Sequence, residues 1–205
     1  MRRRTFLALA LAALAPCAAA AGEINVEEIL GDPAAPVAGD PQGDVTIVAF
    51  LDYNCPFCKK SAPGLAKLVQ TDPHVRLVYK DWPVITPTSV DGAKLALAAK
   101  YQGKYQEAHA AMMALKGRST AERFRDALKA AGIDMTRLDA DLAAHADDIA
   151  ALLKRNNAEA DSLGLQGTPV YLIGPYKVAA AIDYDEFKRV VDNTRARQKG
   201  EAPVQ

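Results

Sequence analysis

The rhythm of hydrophobic and polar positions changes several times along the chain, and each change predicts an element. Val45-Thr46-Ile47-Val48-Ala49-Phe50-Leu51 is a β-branched and aromatic run bounded by Gly43-Asp44 and Asp52. Its near-continuous apolarity predicts a strand buried on both faces, hence a central one. A second strand is predicted over Val75 to Lys80, ending before Pro83. Between them Cys58, Ala62, Leu65, Ala66 and Val69 recur at helical spacing and predict the inner face of a helix. Pro56 suits the first helical position, where a missing N–H needs no partner. Pro63-Gly64 predicts a kink in the helix interior.

From about Ser89 to Leu163 the chain is rich in Ala, Leu and charged residues and carries no strand signal. Helices are predicted over about 89–101, 103–115, 119–131 and 136–163, the last open to a break. The caps expected are Ser119, paired with Glu122, and a start near Thr136. Val170 to Ile173 then reads as a third strand, Gly174-Pro175 as a turn, and Tyr176 to Ala180 as a fourth strand closing a hairpin. Asp183 with Glu186 predicts a capping box that opens a helix through Phe187, Val190 and Val191. Upstream, residues 22–43 hold three prolines and four glycines, a turn-rich entry with a short helical turn around Val26 to Leu30. The order is βαβ, a helical block, then ββα. It predicts an α/β domain formed by 44–87 and 164–198, with 88–163 as an inserted all-helical subdomain.

Composition narrows the picture. A chain of 205 residues, half of them hydrophobic, suffices for one compact domain with a subdomain. Basic and acidic residues balance at 25 each, and no basic stripe with interleaved aromatics marks a nucleic-acid binder. The first 21 residues stand apart. Arg2-Arg3-Arg4, an apolar run from Phe6 to Ala15 and Ala18 to Ala21 form the three-part pattern of a secretory signal peptide. The apolar run is too short to cross a bilayer as a helix. Arg3-Arg4-Thr5-Phe6-Leu7 also resembles a twin-arginine signal, which leaves the export route open. Cleavage there would leave 22 basic against 25 acidic residues, and would remove Cys17. Two cysteines would remain, in the Cys55-Pro56-Phe57-Cys58 motif.

Those two cysteines carry the chemistry. Disulfide exchange needs one accessible thiolate and a second thiol close enough to resolve a mixed disulfide. Cys55 is placed just outside a helix's first turn, where free N–H groups and the helix dipole favour negative charge. Its pKa is expected roughly in the 3.5–7.5 range of such motifs. Cys58 is placed one turn inside, facing the core. Cys55 is thus the expected attacking sulfur, exposed, and Cys58 the resolving one. A zinc site would need about four ligands, but His74, His109 and His145 are scattered and no second Cys-x-x-Cys exists. A purely structural disulfide would normally close a longer loop. Two thiolates can hold copper(I), so a copper-binding or chaperone-type module using the same cysteines stands as the alternative. No cofactor is called for. Gly167-Thr168-Pro169 is the second element. A proline opening a strand is compatible with a cis bond, leaving the Thr168 backbone to pair with an extended substrate segment.

With these residues in hand, the chain resembles the DsbA-family thiol–disulfide oxidoreductases. The run from Val45 to Lys59 resembles that family's strand and active-site helix, Lys80-Asp81-Trp82-Pro83 its second strand end, and Gly167-Thr168-Pro169 its cis-proline loop. The Cys58-to-Pro63 spacing is the kink spacing of thioredoxins. Ile29-Leu30-Gly31-Asp32-Pro33 and Asp52-Tyr53-Asn54-Cys55 are most similar to the ScsC-like branch, and the likeness covers about residues 31–195. The resemblance implies a thioredoxin fold, a central mixed sheet flanked by helices with an inserted helical subdomain. It implies action on protein thiols in the periplasm, with Cys55 and Cys58 catalytic and Pro56, Phe57, Thr168 and Pro169 binding substrate. A membrane redox partner for recycling and a monomeric state are expected with it. Many relatives carry a glutamate six residues before the first cysteine. Here that position is Ala49, which leaves Asp52 or Asp81, each more often an exposed or capping carboxylate, as the candidate replacements. The strongest oxidases of the family place a histidine between the cysteines, and this chain has Phe57. With Thr168 before the proline, that favours a mild oxidant, an isomerase or a reductase.

Overall fold

The computed structural model describes residues 25–202. The predicted leader, Cys17 included, lies outside the described residues. The elements follow in the order α1 (Val26–Gly31), β1 (Val37–Gly39), β2 (Val45–Leu51), α2 (Pro56–Thr71), β3 (Val75–Asp81), α3 (Pro87–Lys100), α4 (Tyr105–Met113), α5 (Ala121–Ala130), α6 (Met135–Ala144), α7 (Ala146–Ser162), β4 (Val170–Ile173), β5 (Tyr176–Val178) and α8 (Tyr184–Gln198).

The five strands form one mixed sheet in the order β1-β3-β2-β4-β5. β2 runs parallel to β3, with Val45 opposite Val75 and Leu51 opposite Asp81, and antiparallel to β4, with Ala49 opposite Tyr171. β2 is therefore the central strand, buried along nearly its whole length as its apolar run requires. Alternate side chains feed two cores. Ile47, Ala49, Leu51, Leu77, Tyr79, Tyr171 and Ile173 face the cluster that also holds Cys58 and Leu65 of α2 and Phe187 of α8. Val48, Phe50, Val78 and Val170 face the opposite cluster, closed by Ile29 of α1 and Ala160 of α7. The helices α3 to α7 lie together between β3 and β4 in the chain, and α3 packs against α4, α5, α6 and α7.

Several boundaries differ from the sequence reading. β1 was read as part of the turn-rich entry, yet it pairs antiparallel with β3, Val37 opposite Val78. It is three residues long and ends at Gly39, whose φ of 74° is left-handed and where a Cβ would strike the Val75 carbonyl. α3 starts at Pro87 because Thr86 and Ser89 form a capping box. The cap expected at Ser119 with Glu122 is instead Thr120, which accepts from the Arg123 N–H at 3.4 Å. Asp134, not the region of Thr136, caps α6, accepting from the Arg137 N–H at 3.0 Å. The stretch 136–163 is two helices, α6 and α7, that meet at His145. β5 ends at Val178, short of the predicted Ala180. The Asp183–Glu186 box opens α8 with both of its bonds in place.

α2 continues through Pro63 as a single helix. Its fully buried side chains are Cys58, Ser61, Leu65 and Leu68, while Ala62 and Val69 pack half-buried against the same core and Ala66 is exposed. The chain entering α8 passes so close to Gly64 that a Cβ there would sit 2.7 Å from the Tyr184 nitrogen. On the same side the Ser61 hydroxyl donates to the Ile182 carbonyl at 2.7 Å.

Candidate active site

β2 delivers the chain to the sheet end, and α2 begins after four intervening residues. Cys55 is the N-cap of α2, with an extended backbone, and Pro56 is its first residue. The Cys58 N–H donates to the Cys55 sulfur at 3.4 Å, and the Lys59 N–H to the Cys55 carbonyl at 3.1 Å. Cys55 thus fills the capping role that Ser or Asp usually takes, with a sulfur in place of the oxygen.

Both cysteines are free thiols, and their environments push them apart. The Cys58 thiol, hydrogen-bonding to Cys55, is the largest influence lowering the Cys55 pKa to about 6, against the opposing effect of burial. The Thr168 side chain and the backbone N–H groups of Cys58 and Phe57 add to it. For Cys58 burial dominates, followed by the hydrogen bond and charge of Cys55, and its thiol is held far above the usual range. At neutral pH the pair therefore carries one negative charge, on Cys55.

The expectation that Cys55 is exposed is corrected. The residue is 1% exposed and Cys58 0%. The Cys55 sulfur turns inward, and in its protonated form donates to the Thr168 carbonyl at 3.2 Å. The Thr168–Pro169 bond is cis. Phe57, by contrast, is 61% exposed beside the sulfur. Phe57, Thr168 and Pro169 line one groove of about 570 Å³, with Lys60 and Lys177 on its walls. Pro56 instead lines a separate cavity of about 750 Å³ between α2 and α4. Three of the four residues expected to meet substrate thus share a groove, and the fourth lies outside it.

Asp52 and Asp81 are neither exposed nor helix caps; each is 1% exposed. Asp52 accepts from the Asn54 N–H at 2.6 Å, the Ser89 hydroxyl and the Val84 N–H at 2.8 Å, and the Ile85 N–H at 2.9 Å. Four donors commit it to holding the loop that leads into α3. Asp81 accepts from the Tyr105 hydroxyl at 3.0 Å, and burial raises its carboxyl to about 7. Tyr105 also accepts from the Tyr53 hydroxyl, which lies 3.1 Å from His109 Nδ1. Burial lowers His109 to about 4, so it is neutral here. His109 and Met112-Met113 are buried packing residues of α4. Trp82 is a core aromatic, edge-on to Phe50, with its N–H donated to Asn157 at 3.1 Å.

Asn54 was not singled out as a site residue. Its side-chain N–H₂ donates to Thr86 and Thr88, both at 2.9 Å, and to the Ser119 carbonyl at 3.2 Å. Its Oδ1 accepts from the Ser119 N–H at 2.7 Å. The residue before Cys55 is thereby pinned both to the start of α3 and to the loop before α5. The one signal in the sequence was its place next to the cysteine. Tyr171 is a second such residue: wholly buried, opposite Ala49, and close enough to both cysteines for their charge to act on its phenol.

Comparison with known proteins accords with this geometry. The family model described as Thioredoxin (Thioredoxin_4) matches residues 32–193. A thioredoxin-like oxidoreductase from Silicibacter pomeroyi DSS-3 is 37% identical, over 85% of this chain and 98% of that one, with a TM-score of 0.78. The thiol-disulfide exchange protein alpha-DsbA2 from Wolbachia pipientis is 28% identical, over 81% and 90%, with a TM-score of 0.76. The catalytic domain of Proteus mirabilis ScsC is 27% identical, over 83% and 94%, with a TM-score of 0.73. Among curated proteins, an Na(+)/H(+) antiporter NhaA 1 of Mycobacterium sp. (strain KMS) is 27% identical over 157 residues. The match covers 71% of this chain but only 25% of that antiporter's length. With the sheet order, the helix-capping cysteine and these likenesses together, the chain belongs to the thioredoxin family, among its DsbA-like and ScsC-like thiol–disulfide oxidoreductases.

Proposed function

We propose that this oxidoreductase exchanges disulfides with protein substrates in the periplasm through Cys55 and Cys58. The observation that carries the reading is the opposed state of two adjacent thiols, Cys55 lowered to about 6 and Cys58 held protonated by burial. An ionised sulfur at a helix tip is the nucleophile that exchange requires, and a protonated neighbour one turn deeper is the resolving thiol. Cys55 attacks, or is attacked by, the substrate sulfur, and Cys58 releases the mixed disulfide. An extended substrate segment lies in the groove of Phe57, Thr168 and Pro169 and pairs with the Thr168 backbone. Pro56 contributes by shaping the helix start. The exposed Phe57 side chain offers apolar contact but neither charge nor a hydrogen-bond donor to the thiolate, leaving only its backbone N–H. That supports a mild oxidant, an isomerase or a reductase over a strong oxidase.

The leader over residues 1–21 supports export, and the short, Pro-rich stretch 22–43, which offers no long heptad stalk, supports a monomer; a membrane redox partner would recycle it. In this reading residues 44–87 and 164–198 form the exchange domain and 88–163 the helical insertion that borders it. Turnover in an insulin-reduction assay, lost at least about a hundredfold in Cys55→Ser, and a redox potential nearer about −200 than −120 mV are the results expected. Wild-type protein without turnover, or a Cys55→Ser variant as active as wild type, discards the proposal.

A further inference from the structure

Cys58 poses a chemical problem that its surroundings answer in part. Its sulfur is wholly buried and has to become anionic, at least partly, when it attacks. Burying an anion without donors is costly. The side chains facing it from the sheet are set by the register of β2 and β4. Ala49 pairs with Tyr171 and both face the core cluster that contains Cys58. Ala49 supplies only a methyl group. Tyr171 is 0% exposed, its ring is held edge-on against Phe187 at 4.8 Å, and its hydroxyl has no partner at full hydrogen-bond distance, although Ser61 lies close enough to act on the phenol. Ser61, the nearby hydroxyl on α2, is already donating to the Ile182 carbonyl. An orphaned buried hydroxyl weakens a fold unless some state of the protein uses it.

We propose that Tyr171 is a positioning residue for the resolving step, its unpartnered hydroxyl donating a hydrogen bond to the Cys58 sulfur as that sulfur becomes anionic. The inference rests on the exchange reading above. In the resolving step the Cys58 sulfur attacks the Cys55 sulfur of the mixed disulfide. The Cys55–Cys58 bond forms as the Cys55–substrate bond breaks. The substrate sulfur leaves with that bond's electron pair and takes up the proton that Cys58 gives up. Tyr171 gains and loses no proton overall. Burial holds its phenol above the usual range, so it remains a donor throughout the neutral pH range. The other groups facing the pair are the ionised Cys55 at the helix tip, Lys59 beside it on α2, the Asp52 backbone at the end of β2, the Thr168 hydroxyl before β4, and Tyr79 across Ala49 on β3, while α8 offers the uncharged Phe187.

The test is the two-phase reaction of the reduced protein with an aromatic disulfide that releases a coloured thiol. The first phase reads attack by Cys55, and the second reads resolution by Cys58. In Tyr171→Phe the second phase is expected to slow about tenfold at neutral pH and its pH profile to move to higher pH. The first phase and the folding midpoint are expected to stay at or above wild type. A second phase of unchanged rate and unchanged pH profile overturns the proposal. If Tyr171→Phe does not fold, 3,5-difluorotyrosine at position 171 makes the hydroxyl more acidic without removing it. A shift of the second-phase pH profile then upholds the proposal, and an unmoved profile overturns it. A wild-type first phase no faster than that of free cysteine, by contrast, would discard the exchange reading itself.

Discussion

Cys55 and Cys58 share one turn of helix, yet burial and a few hydrogen bonds give them opposite charge states. Their spacing is local, so the pair and its place at the start of a helix could be read from the sequence. The inward turn of the Cys55 sulfur could not, because it depends on the Thr168 carbonyl, 113 residues away. The same holds for Asp81. A sequence shows an aspartate near a strand end, not that Tyr105 will reach it from α4. Burial raises this carboxyl to about 7. Its contribution to stability is therefore fully present below the unfolded value near 3.8 and is lost as pH rises through about 7. Asp81→Asn removes that loss. In the oxidised protein, where neither thiol titrates, the variant's stability gain over wild type should grow from pH 4 to 7 and level off at roughly 2–4 kcal/mol. Urea midpoints across that range check it, and a difference independent of pH would refute the assignment.

At the scale of elements, runs and caps that lie within a few residues were legible: β2 from its β-branched run, α2 from Pro56, α8 from the Asp183–Glu186 box. Elements defined by a partner were not. β1 has three residues and one buried side chain, Ala38, and exists because β3 offers it an edge. Most of the inner face of α2 follows its periodicity, Ala66 excepted, but periodicity does not show the chain of α8 pressing at Gly64. That contact has a measurable sign. Gly→Ala inside a helix ordinarily gains about 0.5–1 kcal/mol. At Gly64 the added carbon meets the Tyr184 backbone nitrogen at 2.7 Å, and neither backbone can yield without shifting α2 against α8. Gly64→Ala should therefore destabilise, by about 1–3 kcal/mol. A raised denaturation midpoint would show that the two helices separate without penalty.

Across the whole molecule, the order of strands and helices followed from the hydrophobic pattern, while the polar ties between layers did not. Lys80 is the next-to-last residue of β3 and is 0% exposed. Its ammonium meets Glu159 of α7 at 2.8 Å and Asp32, at the end of α1, at 3.6 Å, and Arg155 reaches Asp32 at 3.2 Å. One lysine thus joins the entry segment, the sheet and the helical block. Lys80→Ala strands the Glu159 carboxylate beneath α7, leaves Asp32 to Arg155 alone, and should cost about 3–5 kcal/mol. Restoring volume with Lys80→Met should recover little of that loss, because Glu159 would still lack its ammonium partner. Thermal midpoints of the two variants test this, and near-equality with wild type would mean the cluster is solvated.

The single amide of Asn54 has a wider reach than its size suggests. It grips the entrance to α3 and the hairpin-like bend before α5 from a position one peptide away from the helix-capping sulfur. The placement of that sulfur and the seating of the helical layer consequently share one fastening.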